Sequence, residues 1–181
     1  MDAAALPRRI VVGVNGSPAS LAALRWAAGE AVLRRASLLV VHVWDRTRRL
    51  APYANIGRRP TPVEERSTAR SRLAVTVRAA FGPVAPAGVT TELAEGLVAR
   101  VLLDRAAGAD LLVLGATMAP VTSPPAGGAA GPTAGPVARA CLSRAVCPVV
   151  IVTAAPTEDE AGGPAAAGVP GAGVPGAAGR T

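Results

Sequence analysis

Two kinds of apolar pattern alternate along this chain. Asp110-Leu-Leu-Val-Leu-Gly115 and Cys147-Pro-Val-Val-Ile-Val152 are nearly continuous apolar runs, the mark of strands covered by helices on both faces of a parallel sheet. Arg9 to Val14 and Ser37 to Trp44 read the same way, and Gly88 to Leu93 reads as a shorter strand at an edge. Between these runs the period becomes helical. Ser17 is placed as N-cap with Pro18 in the first turn, and the helix continues to Arg35 with Leu21, Leu24, Ala28 and Val32 on one face. A second helix is predicted over Thr61 to Ala80, with Pro62 near its start and Glu64-Glu65 in the first turn, where the helix dipole favours acids. A third spans Leu97 to Ala107, with Val98, Val101, Leu102 and Arg105 at helical spacing and Gly108 closing it. A fourth starts at Gly135-Pro136 and ends by Arg144. Strands alternating with helices in this way define an α/β class: an open, five-stranded, mainly parallel sheet with helices on both faces, joined by right-handed crossovers.

Composition adjusts this picture only in places. A chain of 181 residues is long enough to bury one proper core, and with 2% aromatics that core must be built from Val, Leu, Ile and Ala. All 19 basic residues are arginine, and the formal net charge is +7. With so much Ala, Gly and Pro, the arginine excess reads as a GC-rich coding bias and a solvated surface. No interleaving of basic and aromatic residues suits a nucleic acid, so that partner is not expected. Cys141 and Cys147, with one distant histidine, make neither a metal site nor a disulfide framework and read as small core-filling thiols. The first residues lack a charged region followed by a long apolar stretch, and no run approaches the ~18 apolar residues that span a bilayer. The expectation is a cytoplasmic protein with no membrane partner. The expected organisation is a short extension over 1–8, the α/β domain over 9–153 and a disordered Gly/Pro/Ala-rich tail over 154–181 containing Glu158-Asp-Glu160.

Candidate chemistry gathers where strands end in glycine. Gly115 closes one strand, and a Pro- and Gly-rich stretch over 116–134 leads to Gly135 at a helix start; a glycine there lets backbone N–H groups and a helix N-terminus approach an anion. Asn15 follows the first strand in Gly13-Val-Asn-Gly16. Five arginines, Arg46, Arg48, Arg49, Arg58 and Arg59, lie in the connection after the second strand, at the same sheet edge, and could pair with phosphates. The loops are neither a Walker A motif nor a dinucleotide turn. His42, the single histidine, lies inside a strand with no nucleophile around it and reads as a core or strand-end residue.

These residues carry a resemblance. Ile10-Val-Val-Gly-Val-Asn-Gly-Ser-Pro-Ala-Ser20, Ala23-Leu-Arg-Trp-Ala27, Gly115 and Gly135-Pro-Val-Ala-Arg-Ala140 resemble the universal stress protein family, whose nucleotide loop runs Gly-x2-Gly-x9-Gly-(Ser/Thr). The resemblance covers Arg9 to Thr153 and implies strand order 3-2-1-4-5. It implies a site for ATP lined by Asn15, Val43, Gly115, Gly135 and Val137, and a homodimer formed through the last strand, Pro148 to Val152. The chain departs from the pattern in three residues: Met118 for the second glycine, Pro136 for the hydroxyl residue, and Asn15 for aspartate. The loop is also longer than the family's. Three readings stay open: a stress-response regulator acting as a dimeric interaction module with a degenerate nucleotide site and a possible protein partner, an ATP-binding protein with a rearranged phosphate loop, and a nucleotide hydrolase. No pair of carboxylates, metal cluster or nucleophile–base arrangement supports an enzyme. No cofactor is certain; ATP is the possible one.

Overall fold

The structure, a computed structural model, describes residues 8–45, 61–116 and 134–154. Its elements are β1 (Arg9–Val14), α1 (Pro18–Arg34), β2 (Ser37–Trp44), α2 (Pro62–Phe81), β3 (Val89–Glu95), α3 (Val98–Ala106), β4 (Leu111–Gly115), α4 (Pro136–Arg144) and β5 (Val149–Val152). The strands form one sheet in the order β3-β2-β1-β4-β5. Every pairing is parallel. The 3-2-1-4-5 order implied by the resemblance is therefore the observed one.

Alternate strand residues feed two cores. Ile10, Val12, Val40 and Val113 pack under α1 and α2 with Leu24 and Leu73. Val11, Val41, Leu112 and Leu114 pack under α3 and α4 with Leu102 and Cys141. Burial on both faces explains why these strands show no alternation in sequence.

The helices start and stop for local reasons. The Ser17 hydroxyl accepts from the Ser20 N–H, Pro18 occupies the first turn, and Arg35 ends α1 in a left-handed conformation with φ 52°. The Thr61 hydroxyl accepts from the Glu64 N–H while the Glu64 carboxylate accepts from the Thr61 N–H, a reciprocal box that fixes the start of α2.

Two expectations need correction. The buried face of α1 is Ser20, Ala23, Leu24, Ala27 and Ala31, not the expected Leu21-Leu24-Ala28-Val32 stripe; Val32 is 78% exposed. Small side chains let this helix lie close against the sheet, so alanines define the packed face. β3 also runs on to Glu95, two residues past the expected end at Leu93, because it pairs with β2 all the way to Trp44.

Charged groups tie the frame together at its amino-terminal edge. Arg9 donates from Nη2 to the carbonyls of Arg105 and Ala107 at 3.2 and 2.9 Å, closing the C-terminal end of α3. The Asp110 carboxylate accepts from the Arg9 backbone N–H at 2.7 Å. On the α3 face, Arg105 grips Glu92 of β3 through both Nε and Nη2.

Candidate functional site

All five strands point the same way, so their carboxyl ends share one edge, and α1, α3 and α4 begin there. The chain leaves β1 toward β2 on one side, while β4 flanks β1 on the other. A crevice opens between strands whose connections diverge in this way, and that crevice is the default ligand position in an open α/β sheet. Gly13 is paired with Leu114, which brings Val14 abreast of Gly115. Asn15 and Ala116 are the next residues out.

The Asn15 side chain is already engaged. Its Oδ1 accepts from the Ser17 N–H at 3.0 Å, which shapes the turn into α1. Gly16 completes that turn at φ 85°, a backbone state that glycine adopts without strain. What Asn15 offers outward is its NH₂, a donor.

Gly115 has a packing role that the sequence does not disclose. A Cβ at this position would lie 2.6 Å from the Ala19 carbonyl carbon and 2.7 Å from the Ala19 oxygen and the Ser20 nitrogen. The first turn of α1 crosses directly over the end of β4, and only a glycine leaves room for its backbone. This accounts for Gly115 whether or not an anion binds.

At the other wall, Gly135 is the N-cap of α4, extended at φ −64° and ψ 172°, with no side chain capping the helix. Pro136 takes the first helical position and removes one N–H from the usual cluster. The first backbone bond of α4 runs from the Arg139 N–H to the Gly135 carbonyl at 2.9 Å. Among the described residues the N–H groups of Val137 and Ala138 have no acceptor. Val137 and Val43 are both half-buried against the α3/α4 core, Val43 at the end of β2 opposite Ala94. The five candidate residues thus all stand at the carboxyl edge, with Asn15 and Gly115 flanking the crevice.

α3 adds something that sequence reasoning passed over. Leu97 stands at its N-cap with no side-chain bond, after Gly96 at φ 138°. α1 and α2, capped by Ser17 and Thr61, cover one face of the sheet; α3 and α4, both bare at their starts, cover the other. The missing Ser, Thr, Asp or Asn at 97 and 135 was a readable signal.

The remaining chemical candidates resolve into structure. A carbonyl can only accept, so the His42 Nδ1 donates to the Val14 oxygen at 2.8 Å and ties the ends of β1 and β2 together in a buried position. Burial pushes both thiols up, Cys141 further aided by Cys147, and Cys147 despite backbone hydrogen bonds that act the other way. Neither is a ready thiolate, in keeping with a core-filling role. Among the described residues no group of three His, Cys, Asp or Glu could hold a metal ion. No helix of the described residues is long and apolar enough to cross a membrane. The arginines between Arg46 and Arg59, Met118 and the hydroxyls of Thr117, Thr122, Ser123 and Thr133, and the tail from residue 155 onward lie outside the described residues, as do residues 1–7.

Comparison with known proteins agrees with the architecture. A family model described as "Universal stress protein family" matches residues 7–153. The chain is similar to a universal stress protein from Archaeoglobus fulgidus, with 24% identity and TM-score 0.57 over 81% of this chain and 99% of that one. It is similar to a protein of the same family from Burkholderia pseudomallei, with 26% identity and TM-score 0.53 over 83% and 98%. A structure of a universal stress protein from A. fulgidus in complex with dAMP matches at 23% identity and TM-score 0.53 over 80% and 97%.

Proposed function

The chain belongs to the universal stress protein family, and on that premise we propose that it acts as a cytoplasmic, non-enzymatic stress-response regulator. In this reading it is a homodimeric interaction module with a degenerate nucleotide site. The observation that carries the proposal is the outer edge of β5, unpaired among the described residues. The Leu112 N–H donates to the Pro148 carbonyl and the Ala116 N–H to the Val152 carbonyl, so even-numbered residues of β5 face β4. Val149 and Ile151 therefore turn their backbone N–H and C=O groups outward. The strand carries no charge or bulge to guard it, and such an edge recruits another strand.

Apolar side chains stand exposed on both faces of the sheet. α1 carries Trp26 and Leu33. Both are exposed, as are Leu142 and Val146 beyond the other face. Pro136 and Asn15 support the degenerate site: one removes a phosphate donor, the other the carboxylate that a Mg²⁺-bound nucleotide would need.

A second reading, a retained site for a nucleotide, is favoured by the N–H groups of Val137 and Ala138, which have no acceptor among the described residues, and by the dAMP complex of the A. fulgidus relative. Light scattering during sizing and titration calorimetry separate the two. The expected result is twice the chain mass, reduced to one in Ile151→Pro, which removes an outward N–H together with a half-buried side chain on the α3/α4 core, and weakened in Val146→Glu. ATP, AMP and dAMP, with and without Mg²⁺, are expected to give no binding at 1 mM. A monodisperse monomer would sink the dimer; a micromolar nucleotide affinity would move the assignment to the second reading.

A further inference from the structure

The opposite edge of the sheet carries a groove distinct from the crevice. β3 ends the sheet on that side, and α2 lies beside it, leaving a space of about 580 Å³ between them. Arg70, Ala74, Val77 and Arg78 of α2 line one wall, and Thr91 and Leu93 of β3 the other. Gly82, Pro83 and Ala85 of the connection from α2 to β3 close one end, and the lining stays away from the ends of β1 and β4.

The backbone of β3 decides what fits. At one end the Leu38 N–H of β2 donates to the Gly88 carbonyl; at the other the Gly96 N–H donates to the Trp44 carbonyl. With Leu38 opposite Val89 and Trp44 opposite Glu95, even-numbered residues of β3 bond to β2. Thr91 and Leu93 then present N–H and C=O groups to solvent on the side where the groove opens. Leu93 packs into the α1/α2 core, while Glu92 turns to Arg105 on the other face, so odd side chains also face the groove.

We propose that this groove takes an extended acidic peptide from a protein partner, added as a sixth strand along β3. The charge and the spacing select that occupant. Arg70 and Arg78 are eight residues apart on one helix, which separates them by about 12 Å along its axis. One phosphate would have to draw both guanidinium groups inward along the helix, whereas an extended strand can meet each of them over its own turn. A strand advancing ~3.3 Å per residue covers about 13 Å in four residues. The partner therefore presents acidic residues at i and i+4 on its inner face, with an apolar residue at i+2 over Ala74 and Val77. The pattern reads alike in both chain directions, so it suits a parallel or an antiparallel docked strand.

The probe is a fluorescein-labelled Thr-Glu-Thr-Val-Thr-Glu-Thr peptide, titrated by anisotropy against the full chain at low salt. Saturable binding is expected, weakened at least tenfold in Arg70→Glu/Arg78→Glu and unchanged in Arg72→Glu/Arg100→Glu, which alters net charge equally. A peptide of the same composition with its two glutamates adjacent is expected to bind at least tenfold more weakly. Thr91→Pro tests the strand pairing independently: it deletes an outward N–H that β2 does not use, an edge position where proline is tolerated, and should abolish binding. Absence of binding, equal loss in both double variants, or equal affinity for the two peptides would overturn the proposal. So would stronger binding in Glu158→Gln/Asp159→Asn/Glu160→Gln, which would place the chain's own acidic segment in the groove.

Discussion

Gly115→Ala puts a methyl group into the backbone of α1. The added carbon would sit 2.6 Å from the Ala19 carbonyl carbon and 2.7 Å from two further backbone atoms. These atoms belong to a helical turn fixed by the Ser17 cap and by Ala19, Ser20 and Ala23 packed on the sheet, so no side-chain rotation relieves the clash. Overpacking of this kind costs about 1–3 kcal/mol, and a contact with rigid backbone belongs at the upper end. For a domain of this size about 3 kcal/mol lowers Tm by roughly 6–12 °C. Gly13→Ala is the matched control. Its Cβ would meet only side-chain carbons, of Leu114 at 2.8 Å and of Leu102 at 3.1 Å, which can shift by rotation. The control should cost about 1–2 kcal/mol. Urea titration followed by circular dichroism measures both. A Gly115→Ala cost below that of Gly13→Ala would refute the packing argument and leave ligand contact as the reason for the glycine. The same geometry makes any valine at this position an unfolding mutation first and a binding mutation second.

Glu92 is held below the usual carboxylate range, chiefly by the hydrogen bonds from Arg105, which outweigh the opposing effect of burial, with a smaller contribution from the Arg105 charge. Its contribution is therefore present above the ordinary carboxylate range, near pH 4.3, and is lost as pH falls through the lower folded value. Both partners are partly exposed, so Glu92→Gln should cost only about 0.5 kcal/mol at pH 7, with the difference from the parent shrinking as pH falls below the ordinary carboxylate range in urea titrations. Arg9→Met should cost about 1–3 kcal/mol, since it strips two charged donors from the end of α3; native-state hydrogen exchange in α3 should rise with it. Cys141, fully buried, should react with a thiol reagent at pH 8 only on unfolding, and Cys147 more slowly than free cysteine, read by absorbance against time.

The sequence resolved the elements well where one signal dominated. Ser17-Pro18, Thr61-Pro62 with Glu64, and Gly108 mark helix ends by side-chain and backbone chemistry, and the observed ends follow them. It misled where the signal lay in size and not in hydrophobicity. Leucine and valine weigh more than alanine in any periodicity, yet the close face of α1 is alanine-built, and Val32 and Leu33 stand in solvent. The end of β3 was hidden because Glu95-Gly96 looks like the approach to a helix, while only the partner strand shows that pairing continues through Trp44 and Glu95. At the candidate site, the residues were legible and their reasons were not. That Gly115 lies beneath α1, or that Asn15 spends its oxygen on Ser17, depends on neighbours distant in the fold or on a turn geometry no motif spells out.

The two edges of this sheet, unpaired among the described residues, differ in how an assembly through them would end. β5 joined to its own copy is a self-complementary contact, and the two-fold that relates the copies closes it after one step. The result would be a continuous ten-stranded sheet with β3 at both outer margins. β5 joined instead to the β3 of another molecule would repeat without closing, and growth would continue as a fibre. Glu92 and Glu95 on β3, absent from the apolar β5, set the two margins apart and disfavour their union with each other's like. Blocking β5 at its backbone, as Ile151→Pro does, therefore closes both routes at once, because the finite pair and the open-ended chain draw on the same outward groups of Val149 and Ile151.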